Sequence, residues 1–388
     1  MPAPPRVTRM PQGNEGTVGH VPLPRHPGEV TPEWLTDALR SRGLDVIVQS
    51  FRRSGVGEGV GMMSGLERLE IDYATGSGPP VMVLKMPARN EANRAVADAF
   101  HLYEREVLFY RDIAPRSAAR TPDVYYADLD GSDFVLLLED LSDYRLGDQV
   151  EGCSLEDSRL GMEWLGKHHA SFWDDVGDAS LDFMPDIWPS YSSEGLLQGC
   201  AYGWDLMVEA FDDVLPDHIR SLKERYLAAA PQLFEWMASS PLTIVHGDFR
   251  MDNLFFGNGT GQEPLIAVDW QGCLRGRAAQ DIGYFMSGSI PIEVRRAHER
   301  ELIGLWHHHL VENGVTGFSP EDAWENYRRG VLYVWIIAVV VAGTLDRTNE
   351  RGHRWMAEML KRTVATIDDL GLIELLGEFE RGPSRPTS

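Results

Sequence analysis

Leu69, Ile71 and Tyr73 alternate with Arg68, Glu70 and Asp72. That two-residue period predicts a strand with one buried face. Gly76 to Pro80 (GSGPP) reads as a turn, and Val81 to Met86 (VMVLKM) as a second strand. Residues 66–86 therefore predict an antiparallel hairpin. Upstream, Thr31-Pro32-Glu33-Trp34 carries an N-cap, a proline at the first helical position and an acidic first turn, predicting a helix that Gly43 stops. A longer helix is expected over 94–113, with Val96, Ala99, Tyr103, Val107 and Tyr110 on one face. Phe134 to Leu138 (FVLLL) predicts a short buried strand. Beyond about residue 140 the spacing turns helical, over 157–173, 204–214, 218–239, 294–313, 322–345 and 355–370. The one β interruption is Leu242 to Val268. Strands first and helices after predict an α+β fold.

Composition narrows this picture. Apolar residues make up 43% and charged residues 24% of 388, which predicts a folded chain. That length predicts two or three domains, or one unit built of two lobes. Segments 1–30 and 376–388 are expected to be tails around an N-terminal part (31–139) and a helical part (140–375). Lys+Arg total 36 against 59 Asp+Glu, a net charge of −23. Neither nucleic acid nor an anionic membrane is an expected partner, since both need clustered positive charge. The run Val331 to Leu345 is fifteen residues, short of the roughly 20 that span a bilayer, and predicts a buried helix. The first thirty residues lack an apolar signal core. Three cysteines without a CxxC pair argue against a disulfide scaffold and fit a reducing cytoplasm.

The chemistry concentrates in Leu242 to Asp269. Leu242 to Val245 is a short apolar strand, and His246 to Asp252 is too polar to continue it. Leu254 to Phe256 and Leu265 to Val268 are apolar, with a glycine-rich turn between them. Pairing 254 with 268 would set Asn253 opposite Asp269, with Cβ atoms about 4.5–5.5 Å apart. An amide and a carboxylate side by side are hard oxygen donors suited to Mg²⁺. Asp248, five residues before Asn253, could accept a proton from an attacking hydroxyl.

His246-Gly247-Asp248-Phe249-Arg250-Met251-Asp252-Asn253, followed by Val268-Asp269-Trp270-Gln271, resembles the catalytic and metal loops of the aminoglycoside phosphotransferase and choline kinase-like family. The protein-kinase form is H-R-D-x-x-x-x-N with D-F-G. The resemblance implies a protein-kinase-like two-lobed fold, with Asp248 in loop 246–253 as base and Mg²⁺ on Asn253 and Asp269 of loop 269–271. It further implies that His246 shapes the loop and that Asp281, in AAQDIGYF, braces it. Phosphoryl transfer also needs a lysine on the phosphates. Lys85 is the only lysine before residue 167 and sits inside an apolar strand. Glu104 and Glu106 compete as its partner. Glu106 lies closer to the apolar face and fits the family's E-x-x-x-Y spacing with Tyr110.

Gly55, Gly57 and Gly59 would let backbone amides approach phosphates. Glu139-Asp140-Leu141 is expected to be the hinge that hydrogen-bonds adenine. The implied reaction moves the γ-phosphoryl group of ATP, with GTP not excluded, to a hydroxyl of a small molecule. A catalytically silent nucleotide-binding module is the alternative. A kinase acting on proteins is disfavoured, because only eleven residues separate Asp269 from Asp281 and no A-P-E segment is visible. The acceptor and the oligomeric state stay open. Consecutive helical residues point about 100° apart, so His307, His308 and His309 cannot converge on one ion. His168 and His169 are expected to pack or to support the loop. Trp173 to Asp205 could line a substrate pocket or fill a core.

Overall fold

The computed structural model describes residues 21–55, 64–259, 261–345 and 349–380. The architecture is the α+β class expected, and it divides into two compact units. One holds the described residues up to Arg116, Thr121–Tyr144 and Asp269–Gly272. The other holds Ser117–Arg120, Arg145–Val268 and the described residues from Cys273 onward.

The first unit opens with α1 (Pro32–Ser41), whose N-cap Thr31 accepts the Trp34 amide as its sequence predicts. A five-stranded antiparallel sheet follows, built from β1 (Ile47–Gly55), β2 (Ser64–Thr75), β3 (Val81–Pro87), β4 (Val124–Asp130) and β5 (Asp133–Glu139), in the order β1-β2-β3-β5-β4. The expected hairpin is β2–β3, with Leu66 opposite Lys85. Trp34, Leu35 and Leu39 of α1 pack on Leu69, Met82, Leu84, Met86, Val135 and Leu137. Strand side chains alternate, so Lys85, between Leu84 and Met86, projects from the opposite face.

The single helix expected over 94–113 is two. α2 (Glu91–Ala99) starts on an Asn90 cap, α3 (Leu102–Leu108) follows, and a wide turn over Phe109–Ile113 ends the segment. His101 between them is left-handed, with φ 52°. The buried Arg105 donates to the Phe100 carbonyl at 2.8 Å, satisfying an oxygen that the break leaves open. Val96, expected on the buried face, is therefore 42% exposed, whereas Tyr103, Val107 and Tyr110 are buried.

The second unit begins with the short β6 (Arg145–Leu146), then α4 (Leu155–Ala170), α5 (Tyr191–Ala210), α6 (Asp217–Arg220) and α7 (Lys223–Met237). β7 (Thr243–Val245), β8 (Leu254–Phe256), β9 (Leu265–Ala267) and β10 (Leu274–Gly276) form two small sheets, ordered β10-β7 and β6-β8-β9. Five helices complete it: α8 (Ala279–Gly288), α9 (Ile292–Glu312), α10 (Pro320–Thr344), α11 (Glu350–Asp369) and α12 (Leu372–Glu380). α10 carries the long apolar run and is the one described helix long and apolar enough to cross a membrane, but 67% of that stretch is buried in the protein. It packs closely because glycines meet on it: a Cβ on Gly330 would lie 2.1 Å from the Ala279 carbonyl oxygen of α8. Trp204 is wholly buried and fills core, whereas Trp173, edge-on against Phe318, and Trp188, tilted on Phe234, are half-buried.

The hairpin register differs by one residue from the sequence expectation. Leu254 pairs with Ala267, and the Val268 amide donates to the Asn253 carbonyl at 3.0 Å. Asn253 therefore faces Val268, not Asp269. The Gly257 amide on the Pro264 carbonyl, 3.0 Å, closes the ladder one step earlier than the apolar run suggests. A one-residue slip reverses the faces of a strand. Asp269 avoids that consequence by leaving the strand in a left-handed conformation, φ 69°.

Candidate active site

In the first unit, Lys85 is 6% exposed on β3. Its Nζ lies 2.6 Å from Glu106 Oε1 and 3.3 Å from Asp269 Oδ1. Glu106, on α3, is fully buried, and its second oxygen accepts the Gln271 amide at 3.1 Å. Trp270, between Asp269 and Gln271, stacks on Phe109 at a centroid distance of 3.6 Å. That stacking and the Gln271 bond fix Asp269–Gly272 against α3, although 184 residues separate Asp269 from Lys85. Burial works against the Lys85 charge, but the Asp269 and Glu106 carboxylates outweigh it and hold its proton above the usual lysine range. Glu106, and not Glu104, meets Lys85, since the break at His101 leaves the register of α3 itself intact.

In the second unit, loop 246–253 is held through its own polar atoms. Gly247 has φ 83°, which only glycine adopts freely. The His246 and Gly247 amides both donate to Asp281, at 2.7 and 2.9 Å. Nδ1 of His246 accepts the Asp248 amide at 3.2 Å, so Nε2 carries the proton and donates to the Val268 carbonyl at 2.9 Å. The Asn253 amide nitrogen donates to both the carbonyl and the carboxylate of Asp248, each at 2.9 Å. Asp248 also takes a bond from Arg250 Nε, 3.2 Å. Burial, reinforced by Asp248, pushes the Tyr284 phenol well above its usual range, so it stays a donor.

Asp281 is fully buried and ties this loop to α4, where His169 Nε2 lies 3.1 Å away. Trp306 donates its indole proton to His169 Nδ1 at 3.2 Å, and an indole can only donate. His169 therefore presents its proton to Asp281. Burial alone would raise the Asp281 carboxyl, but the His169 bond and the His246 amide hold it below the usual carboxylate range.

The structure thus gathers Lys85, Glu106 and Asp269 in one unit, and His246, Asp248, Asn253 and Asp281 in the other. Gly55 ends β1, while Gly57 and Gly59 lie outside the described residues. Glu139 closes β5 opposite Met82, its carboxylate accepting the Asp123 amide at 3.0 Å, and Leu141 is buried. No group of three or more His, Cys, Asp or Glu among the described residues could hold a metal on its own. Asn253 in one unit and Asp269 in the other are the side chains that the resemblance assigns to Mg²⁺, and an amide and a carboxylate oxygen are donors of the kind that ion takes. Sequence reasoning missed Gln271, Arg250, Tyr284 and Gln149. The first three stand inside or beside the quoted motifs, where a polar residue in a buried setting is itself a signal. Gln149 carries none.

The buried Lys85 pair and the braced H-G-D loop stand in a chain whose family is one of small-molecule phosphotransferases of the kinase class. The family model described as the ecdysteroid kinase-like family matches residues 58–173 and 185–315, and the chain belongs to that family. No curated protein matches it. Among solved structures it is similar to the GDP and kanamycin complex of APH(2")-IIia, with 15% identity over 88% of this chain and 96% of that one (TM-score 0.48). It is likewise similar to a microcompartment-associated aminopropanol kinase, 12% over 85% and 94% (TM-score 0.48). A third is macrolide 2'-phosphotransferase MphH from Brachybacterium faecium, 14% over 81% and 99% (TM-score 0.40).

Proposed function

We propose that the protein transfers the γ-phosphoryl group of ATP, or of GTP, to a hydroxyl of a small molecule. The observation that carries this reading is the buried Lys85 ammonium, held by Glu106 and reaching Asp269. Burying an amine is costly unless it is paired, and this one is kept charged where phosphate oxygens would need a cation. Lys85 orients the phosphates in this reading, with Gly55, Gly57 and Gly59 offering backbone amides to them. The segment Glu139–Leu141 takes the base. Asn253 and Asp269 would hold Mg²⁺, which when bound neutralises charge on the phosphates.

Asp248 positions the acceptor hydroxyl and takes its proton. It is already fixed by Arg250 and Asn253, so an incoming hydroxyl meets an oriented carboxylate. Such catalysis is mainly positioning and charge neutralisation. The family's name directs attention to polyhydroxylated steroids, and the relatives' names to aminosugars, amino alcohols and macrolides. The net charge of −23 favours cationic acceptors among these. The test is ADP release with a panel of those four classes, using Asp248→Asn as the blank. Turnover should fall by roughly 100-fold or more in that variant, with nucleotide binding retained. Wild-type turnover by Asp248→Asn would sink the base assignment. Stabilisation by ATP and Mg²⁺ without ADP from any acceptor would leave a silent nucleotide-binding module.

A further inference from the structure

We propose that α11 buttresses loop 246–253 through Gln149, and that Gln149 and Arg362 are positioning residues for phosphoryl transfer. The proposal rests on reading that loop as the catalytic one. Gln149 is 2% exposed and lies just past β6. Its side-chain oxygen accepts the Met251 amide at 2.8 Å and the Ser289 hydroxyl at 3.1 Å. Its side-chain nitrogen donates to the Gly288 carbonyl at 3.0 Å. Its own backbone amide donates to Asp252 Oδ1 at 3.0 Å. Gln149 thus grips the loop twice, at Met251 and at Asp252, between the two residues assigned to chemistry.

Arg362 of α11 fixes Gln149 in turn. It is 5% exposed, and its fork donates to the Gln149 carbonyl at 2.8 Å and the Val150 carbonyl at 2.7 Å. A third bond reaches the Gly288 carbonyl at 3.3 Å. A buried guanidinium spent on three carbonyls is a geometric clamp, which a lysine cannot reproduce. The same helix reaches the loop directly at its N-terminal end. Arg351 Nη2 lies 2.9 Å from Asp252 Oδ1, and the Trp355 ring faces the Arg250 guanidinium at 4.7 Å. Arg250 joins Asp252, at 2.8 Å, to Asp248. Residues 351, 355 and 362 fall on one stripe of a helix at 100° per residue, and that stripe faces the loop. All of α11 lies beyond residue 315, where the family-model match ends.

The Met251 amide starts a single turn over Met251–Asn253 and has no partner within that turn. Without Gln149 it would be a buried donor with nothing to bond, and the turn carrying Asn253 would lose its anchor. A displacement of about 1 Å at such a site can cost about 100-fold in rate. The experiment uses the full chain with Gln149→Met and Gln149→Asn, the latter keeping the amide but falling one methylene short. Steady-state kinetics and amide hydrogen exchange of peptides covering 246–253 are read together. The expected result is kcat lower by roughly 10–100-fold, nucleotide KM within about twofold, and faster exchange confined to those peptides. Wild-type exchange in that loop, or faster exchange with unchanged kcat, overturns the proposal. Should both variants fail to fold, Arg351→Ala, at a side chain 56% exposed, carries the same readouts with a several-fold effect, and wild-type behaviour there overturns it equally. If the wild-type chain transfers no phosphoryl group to any acceptor, the kinase reading fails, while the exchange data still decide whether α11 and Gln149 hold the loop.

Discussion

Lys85 shows how one residue can be read from sequence and still need the fold to become useful. Its isolation among apolar neighbours marks it, because a charge in a buried strand must have a partner. Helical phase and the family's E-x-x-x-Y spacing both favour Glu106 over Glu104, and the pairing with Glu106 at 2.6 Å agrees. Removing one member of a buried pair leaves the other uncompensated, at a cost of roughly 3–5 kcal/mol. Lys85→Met should therefore lower unfolding stability by about that amount in a denaturant titration. The double variant Lys85→Met/Glu106→Gln should recover at least about 1 kcal/mol of it, because residues in contact do not add independently. Additive losses would show that the pair does not interact in solution.

At the level of elements, apolar spacing located nearly every long helix but not how closely the helices meet. The contact between α8 and α10 depends on Gly283 and Gly330, where a Cβ would enter the facing backbone at 2.4 and 2.1 Å. Nothing around these glycines in the sequence separates them from Gly304 of α9, whose Cβ would meet open space. The two substitutions should therefore move thermal unfolding in opposite directions. Gly330→Ala forces the helices apart and should destabilise by roughly 1–3 kcal/mol. Gly304→Ala should stabilise by about 0.4–1 kcal/mol, through reduced freedom of the unfolded chain. The break at His101 belongs to the same scale. The spacing of 94–113 is continuous, and α2 ends at the left-handed His101, where Arg105 reaches back to the freed Phe100 carbonyl, a bond that periodicity does not record.

For the molecule as a whole, the sensitive quantity is stability against acid. Asp281 is buried, bonded by His169 and two backbone amides, and its folded carboxyl lies below the ordinary range. On acidification the unfolded chain takes up this proton first. The stability it contributes is complete above the unfolded value of about 4 and is lost as pH falls through the lower folded value. Asp281→Asn should cost roughly 2–3 kcal/mol near neutral pH, as bonds to a charged acceptor weaken. The gap between variant and wild type should narrow below about pH 4. Urea midpoints measured across that range test both statements, and a gap that widens on acidification would refute them.

The β2–β3 hairpin, β5, most of the long helices, the H-G-D loop, the lone lysine and its choice of glutamate were legible from the chain, whereas β1 and β4 were not. Each legible feature depends on local periodicity or on a motif of residues close in number, and such patterns are written in spacing. The hairpin register, the left-handed turn at Asp269, the stacking that delivers residues 269–272 to the N-terminal unit and the grip of α11 on Gln149 were decided by the folded chain. They depend on which backbone groups find partners once distant segments pack. A buried amide or carbonyl takes whatever partner the tertiary fold supplies, and no pattern of side chains along the sequence names it in advance.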